Sequence, residues 1–577
     1  MILDQPKLYA RLIAQNIRQV AGLFNPVRAW EALTQSTPVE LILVPQDLRT
    51  ADPVLAQEFY NGIYSFAGRT IDTGGRHPFS ADIAKQNNIV FWQHELHSFR
   101  WLRHIHSSST AVSASHAQSL VRDWISEYGK PANNIAWQPQ IAAQRLMSWL
   151  SHSIIIVDNV DVKSYNQFIK SIGVHIRFLQ SSLGRTSNGL PGLQVRIALA
   201  YAALCVKLRR TPTAAMANKP HEILANALTK QIYADGGHVS RCPAVLPEIL
   251  IDLLPLRQSY DRVGIAPPLE VLKAIDRIMP AIRYYRHRDG NFARFNGVGA
   301  SQLDLIATVL RYDDAMGEPT QEASQSGFQR LTGGPTTLIM DVGNPPKGEN
   351  SANAHAGCLS FEMSSLRTCF ITNCGAPQIG DEACVAASRS SAAHSTAIVN
   401  NTSSCRFHYG NVFKNLVGGQ ILSGPARVAS ERKKLDGFTQ ILARHDGYLR
   451  QFGIWHERII QLSDDGNFLF GRDRFFVNGG KPPVHMTKDD CAIRFHLHPA
   501  VHASIDPATG VIIVRAGENQ SWNFACDNGK ITLEESVFFA AAGGRVAGSQ
   551  IVVNINLSTT SEVNWRFEQT IGTRQQL

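Results

Sequence analysis

The chain has 577 residues, of which 44% are apolar and 18% charged, with a formal net charge of +9. That mixture builds globular domains with room for two large cores; it excludes a disordered chain, and no apolar run reaches the roughly 18 to 20 residues a membrane-crossing helix needs. Nine cysteines, an odd set without a Cys-x-x-Cys pair, argue against a disulfide framework and a zinc knuckle.

The opening stretch, MILDQPKLYARLIAQNIRQV, scatters bases and amides where an export signal needs an apolar run, so the literal expectation is a cytoplasmic chain. From there to about residue 325 the pattern is helical. IAWQPQIAAQRLMSWLSHSIIIV (135–157) returns apolar residues every three or four positions, and VRIALAYAALCV (195–206) is apolar on nearly every side, as a helix buried among others would be. TSNGLPG (186–192) and YADGGH (233–238) break the series. Helices in such number imply a bundle, a solenoid, or helical hairpins closed into a ring, and no fixed-period repeat singles out the solenoid.

Within ADGGHVSRCPAVLPEILIDLLPLRQSY (234–260) the DGG is a turn, and Pro243 precedes a helix with apolar positions at Leu246, Ile249, Leu250 and Leu253. His238 and Arg241 then stand at a helix mouth, either meeting an anionic group or forming a polar entrance without a ligand. The positive charge falls almost wholly in residues 1–330 and is densest in KAIDRIMPAIRYYRHRDGNFARF (273–295). There Arg283, Arg286, Arg288 and Arg294 interleave with Tyr284, Tyr285, Phe292 and Phe295. One reading is a solvated helix face; the other is an anion-binding surface whose aromatics stack on sugar rings. A nucleic-acid partner would rest on charge alone and is not expected.

After ASQSGFQRLTGGPTT (323–337) the texture changes to short β-branched bursts such as TTLIMDV, TCFITN, GVIIVRA and SQIVVNINLS, set off by Gly, Asn, Asp and Pro. These predict a large antiparallel β domain, hence an α+β multidomain chain divided into residues 1–325 and 326–577. NAHAGCLSFE (353–362) reads with a period of two, placing His355, Gly357, Leu359 and Phe361 on one face of a strand. His394, in SAAHSTAIVN, starts another, with Asn373 between them in ITNCGAP. RFHLHPAVH sets His496, His498 and His502 on one face were the strand to pass Pro499, and HDGYLRQFGIWHER supplies His445, Tyr448, His456 and Arg458. Two histidines from neighbouring strands plus an oxygen donor would suit zinc at about 2.0–2.2 Å. The GxSxG, GxxxxGK[ST] and HExxH signatures are missing.

Taken in order, FWQHELHSFRWL (91–102), WQPQIAAQRLMSWL (137–150), ADGGHVSRCP, NAHAGCLSFE, RSSAAHSTAIV (389–399) and HERIIQL (456–462) resemble the heparinase II/III-like proteins. These are polysaccharide lyases that join an N-terminal α/α toroid, an incomplete barrel of helical hairpins, to a C-terminal antiparallel β-sandwich. The resemblance implies β-elimination at a uronate. A base takes the C5 proton, donors neutralise the carboxylate, and an acid protonates the leaving oxygen. His238 and Arg241 would serve the carboxylate, Tyr260 or a β-domain tyrosine (Tyr409, Tyr448) the proton, and Arg283, Tyr284, Arg286 and Arg288 an acidic polysaccharide. His355, Asn373 and His394 match a structural zinc site. A cell-envelope or periplasmic location is implied as well, against the missing export signal. The chain departs from the family at several letters. No histidine follows Asn188, no tyrosine lies between Tyr233 and Tyr260, the HxHAD pattern becomes Asn353, His355 and Gly357, and Asn373 stands where an aspartate binds metal. A neutral amide weakens the expected zinc site. The other reading is therefore a non-catalytic protein of the same fold that binds anionic glycans.

Overall fold

In a computed structural model the described residues are 37–80, 83, 90–108, 111–186, 188–313, 319–378, 382–407, 419–483, 489–517 and 520–570. They divide into two compact units that interleave along the chain. The first comprises Met1–Ile232, Pro247–Asp276 and Asp304–Asp314; the second comprises Tyr233–Leu246, Arg277–Leu303 and Ala315–Leu577.

The first unit is helical, and local chemistry sets its helix starts. Asp52 accepts the Val54 N–H ahead of Pro53–Tyr60, Asp161 accepts the Ser164 N–H ahead of Val162–Ser182, and Thr213 does the same for Met216. Pro139–Ser151 is buried from Ile141 to Leu150, and Leu190–Cys205 is buried on most sides, as its all-round apolar run predicts. The buried Arg145 of the former stacks 3.9 Å from the Trp124 ring and donates to His175 Nε2 and the His97 carbonyl. Two features escape a purely helical reading. Ile63–Phe66 pairs with Arg69–Asp72 through Ala67 (φ 48°) and Gly68 (φ 71°), a turn that needs two left-handed residues. Pro38–Leu41 pairs with Val206–Leu208. Strands of three or four residues are too short to show a period.

The second unit holds a nine-stranded and an eight-stranded antiparallel sheet. Leu338, Phe361, Ile493 and Val553 of one share a core with Ile441, Ile460, Leu469, Trp522 and Phe567 of the other. Such alternating inner residues are what sandwich strands supply.

One ion pair ties this unit together. Arg458, on Trp455–Ser463, meets Asp473, on Phe468–Phe476, through Nε at 2.8 Å and Nη2 at 3.0 Å. Its Nη1 donates to the carbonyls of Leu359 and Ser395 at 3.0 and 2.8 Å. Trp565 Nε1 donates to the second Asp473 oxygen at 2.8 Å, and His456 Nε2 lies 2.6 Å from the first. Both charged side chains are fully buried. Burying two ions costs more than their attraction returns unless their polar atoms are hydrogen-bonded, and here each guanidinium nitrogen and both carboxylate oxygens have partners. Arg458→Met should therefore lower the unfolding free energy by about 3–5 kcal/mol in a denaturant titration, because it strands the Asp473 charge. Arg427→Ala, which breaks an exposed pair with Asp446, should change it by less than about 1 kcal/mol.

Candidate functional site

The DGG turn closes by two backbone bonds, Gly236 N–H to Tyr233 O at 3.0 Å and Tyr233 N–H to Gly237 O at 2.8 Å. Gly236 sits at φ +81°, and a Cβ there would fall 1.9 Å from the Arg277 carbonyl, so no other residue fits. Asp235 holds the turn in place: one carboxylate oxygen accepts the Ser326 N–H and the other its hydroxyl, each at 2.7 Å.

Arg241 follows at φ +56° and points inward. Nε donates to Ser326 O at 2.6 Å, Nη1 to Gly343 O and Asn344 O at 3.3 and 3.1 Å, and Nη2 to Gly327 O at 2.9 Å and Asp341 Oδ1 at 2.5 Å. A guanidinium has five N–H donors, and all are taken. Phe328 lies under it at 4.6 Å, and a Cβ on Gly343 would stand 2.6 Å from Nη2. Burial pushes the Asp341 carboxyl up and Arg241 opposes that rise. Asn296 extends the network: its Nδ2 donates to Arg241 O, and its Oδ1 accepts the His355 N–H. The expected meeting of Arg241 with an external carboxylate does not occur in this arrangement, because its partners are all internal.

His238 is 2% exposed, and its Nδ1 accepts the Ser240 N–H at 3.1 Å. Burial lowers its pKa to about 4, so it is neutral at pH 7 with its proton on Nε2, a donor and not a cation. Tyr260 belongs to the first unit and meets His221, its Oη 2.6 Å from Nδ1. Burial raises the pKa of its hydroxyl, the opposite of what a base requires. Soon after the turn stand Val245 and Leu246 at the start of Val245–Arg262, Leu246 in the core. Tyr448 is buried and donates to Ala397 O at 2.8 Å, and Tyr409 lies outside the described residues.

The basic and aromatic stretch also resolves differently from the anion-binding reading. Tyr284, Tyr285, Phe292 and Phe295 are buried, with Tyr285 and Phe295 each 5.2 Å from the Phe328 ring, so they are core and offer no face to a sugar. Arg286 bonds to Gly290 O and Arg288, which is exposed, to Gly334 O; Arg283 is half-buried. The same stretch supplies His287, which sequence reasoning passed over, and gives Arg294 an internal partner. His287 Nε2 lies 3.1 Å and Arg294 Nη1 3.5 Å from Glu362 Oε2, while Glu362 Oε1 accepts from Thr372 Oγ1 and Asn373 N–H at 3.1 and 2.8 Å. Burial pushes the Glu362 carboxyl up, but His287 and Arg294 more than offset it and hold it low. With Cys369, His287 and Glu362 form the one group of three convergent metal-ligand types among the described residues, yet both carboxylate oxygens are already occupied. No letter of the sequence pairs His287 with a glutamate 75 residues away.

His355 and His394 do come together, His355 Nδ1 3.1 Å from His394 Nε2. Neither starts a strand. The strand begins only at Phe361, residues 353–360 are irregular with Leu359 at φ +59°, and His394 caps the short turn Ser391–Ala393. His394 Nδ1 donates to Ser390 O at 2.7 Å, which leaves its Nε2 as acceptor. Asn373 Oδ1 accepts the Ser395 N–H at 3.0 Å, and its Nδ2 is buried with no partner among the described residues. Two neutral imidazoles and an amide whose oxygen has one of its two lone pairs taken by Ser395 N–H offer zinc only a neutral third donor, weaker than the carboxylate that would suit the expected site. His496 ends in contacts with Ser536 and Ala392 O, and its strand stops at Leu497, so His498 and His502 do not continue its face.

A helical unit and a β-sandwich unit holding the DGGHxxR turn define a polysaccharide-lyase-like architecture. The heparinase II/III-like C-terminal family model matches residues 315–566. A crystal structure of heparinase III superposes with a TM-score of 0.71 over 100% of this chain and 93% of that one, at 13% identity. A heparan sulfate lyase HepC mutant from Pedobacter heparinus gives 0.62 over 97% and 89%, also at 13%. These fix the fold as an α/α toroid with an antiparallel β-sandwich. By sequence the chain is 28% identical to FtsZ-localized protein C of Caulobacter vibrioides (strain NA1000 / CB15N) over 93% of this chain and 91% of that protein.

His238 and His394, both lowered to about 4 by burial, bind protons more readily in the unfolded chain, where histidine titrates near 6.5. Their contribution is thus complete above pH 6.5 and declines as the pH falls toward 4, by about 1.4 kcal/mol per pH unit for each. Urea midpoints should drop steadily from pH 7 to pH 5, and His238→Gln should reduce that slope.

Proposed function

We propose that this chain is a heparinase-like protein without lyase chemistry that acts together with FtsZ. The observation that carries the first half is Arg241, whose five donors all end on Ser326, Gly327, Asp341, Gly343 and Asn344. β-Elimination needs a group that neutralises the uronate carboxylate and a base for the C5 proton. A saturated guanidinium supplies no neutralising donor. A neutral His238 whose Nδ1 lone pair is engaged, and a Tyr260 whose proton burial holds fast, supply no base. Val245 and Leu246 add neither acid nor base.

The second half rests on the near end-to-end likeness to FtsZ-localized protein C, which covers both units. A cytoplasmic site of action agrees with the chain's cysteines: all nine are thiols and eight are buried, the state a reducing compartment maintains. The uronate-lyase reading is supported by fold likeness alone, and fold does not carry activity.

Two measurements test the proposal. Purified chain is mixed with heparin, heparan sulfate, chondroitin, hyaluronan and alginate, and the ultraviolet absorbance of unsaturated uronate is followed. No rise is expected, and a rise lost in Arg241→Lys would overturn the first half. The chain is then sedimented with FtsZ assembled in GTP. Its appearance in the pellet only when FtsZ is polymerised is expected, and its remaining in the supernatant would overturn the second.

A further inference from the structure

We infer that the β-sandwich unit holds its histidine pair without metal, and that the amide at position 373 alone keeps zinc out, so that a carboxylate there completes a zinc site. The half-site is already built. Two nitrogen ligands on tetrahedral zinc, each about 2.0–2.1 Å from the ion, stand about 3.3 Å apart. His355 Nδ1 and His394 Nε2 stand 3.1 Å apart with their rings nearly perpendicular at 84°. The bond from His394 Nδ1 to Ser390 O gives the pair its tautomers: His394 Nε2 accepts and His355 Nδ1 donates. A Cβ on Gly357 would lie 2.7 Å from His394 Cδ2, so the absence of a side chain there keeps the ring in place.

What is missing is the third ligand. The Ser395 N–H that Asn373 Oδ1 accepts belongs to the residue next to His394, which puts the amide beside the pair. Its other atom, Nδ2, is an N–H donor without a lone pair for a metal, and it is buried with no acceptor among the described residues. A carboxylate would keep the Ser395 bond with one oxygen and offer the second as a ligand. The loops that a metal would clamp are held by other means. Glu362 takes the Asn373 N–H, Arg458 takes Ser395 O, and Arg389 takes Ala354 O and Ser351 O.

The test uses the full chain produced with zinc in the medium, analysed for metal by mass spectrometry. Wild type should carry less than about 0.1 zinc per chain, and its melting temperature should not move with a chelator or with added zinc. Asn373→Asp should carry about one zinc per chain and melt higher with zinc than with chelator, and adding His394→Gln should abolish both effects. A wild-type chain with about one zinc that is lost in His355→Gln overturns the inference, whereas zinc lost only in Cys369→Ser belongs to the His287, Glu362 and Cys369 group and leaves the histidine pair metal-free, as inferred. So does an Asn373→Asp protein with native circular dichroism that binds none. Should the aspartate variant fail to fold, the wild-type zinc content and chelator response still decide whether the histidine pair is metal-free.

Discussion

Arg241 links pieces of chain that are far apart in sequence: the DGG turn that carries it, the start of the β domain at Ser326 and Gly327, and the end of the strand Thr336–Asp341 with the two residues beyond. A buried cation tolerates this only when its charge and every donor are matched, and Asp341 with four carbonyls does so. The neighbouring sequence follows from that demand. Gly327 and Gly343 leave room for the guanidinium, Phe328 lies beneath it, and Asn296 passes the constraint to the backbone of His355. A substrate carboxylate would have to displace several of these bonds to be recognised. The letters that look like a binding motif in the sequence are an internal fastening in the structure.

The fold was largely legible. All-round apolar runs gave buried helices, β-branched bursts gave strands such as Thr336–Asp341 and Val546–Asn556, and the order of motifs gave the architecture. NAHAGCLSFE failed for a physical reason. Alternation reports a strand when one face is wet, but from Ala354 to Phe361 residues of both phases are buried, so the period carries no information. Tyr284 and Tyr285 were misread because aromatic letters among arginines look the same whether the rings face water or the core. The site was less legible than the fold. Asp341, Asn296 and Glu362 are single polar letters whose partners lie tens of residues away, and nothing short of the fold pairs them.

Two of the positions singled out above carry side chains that do not titrate. Leu246, soon after the turn, sits in the core, and Asn373 is close in shape to aspartate while lacking its charge. Most of the histidines described are spent on internal bonds: His445 faces His456 across paired strands, and His287 serves Glu362. A histidine count in a sequence therefore measures the polar wiring of a β-sandwich at least as much as its catalytic potential.

The interleaving of the two packing units has a consequence for inheritance. The region recognised at the family level begins at residue 315, but the body that packs around it also includes 233–246 and 277–303. A recombination event that transplanted only the recognised region would carry Asp341 away from Arg241 and Ser326 away from Asp235, leaving a buried carboxylate unneutralised in its new host. The heritable module is therefore larger than the recognisable one, and the helical and β parts of such a chain are constrained to descend together.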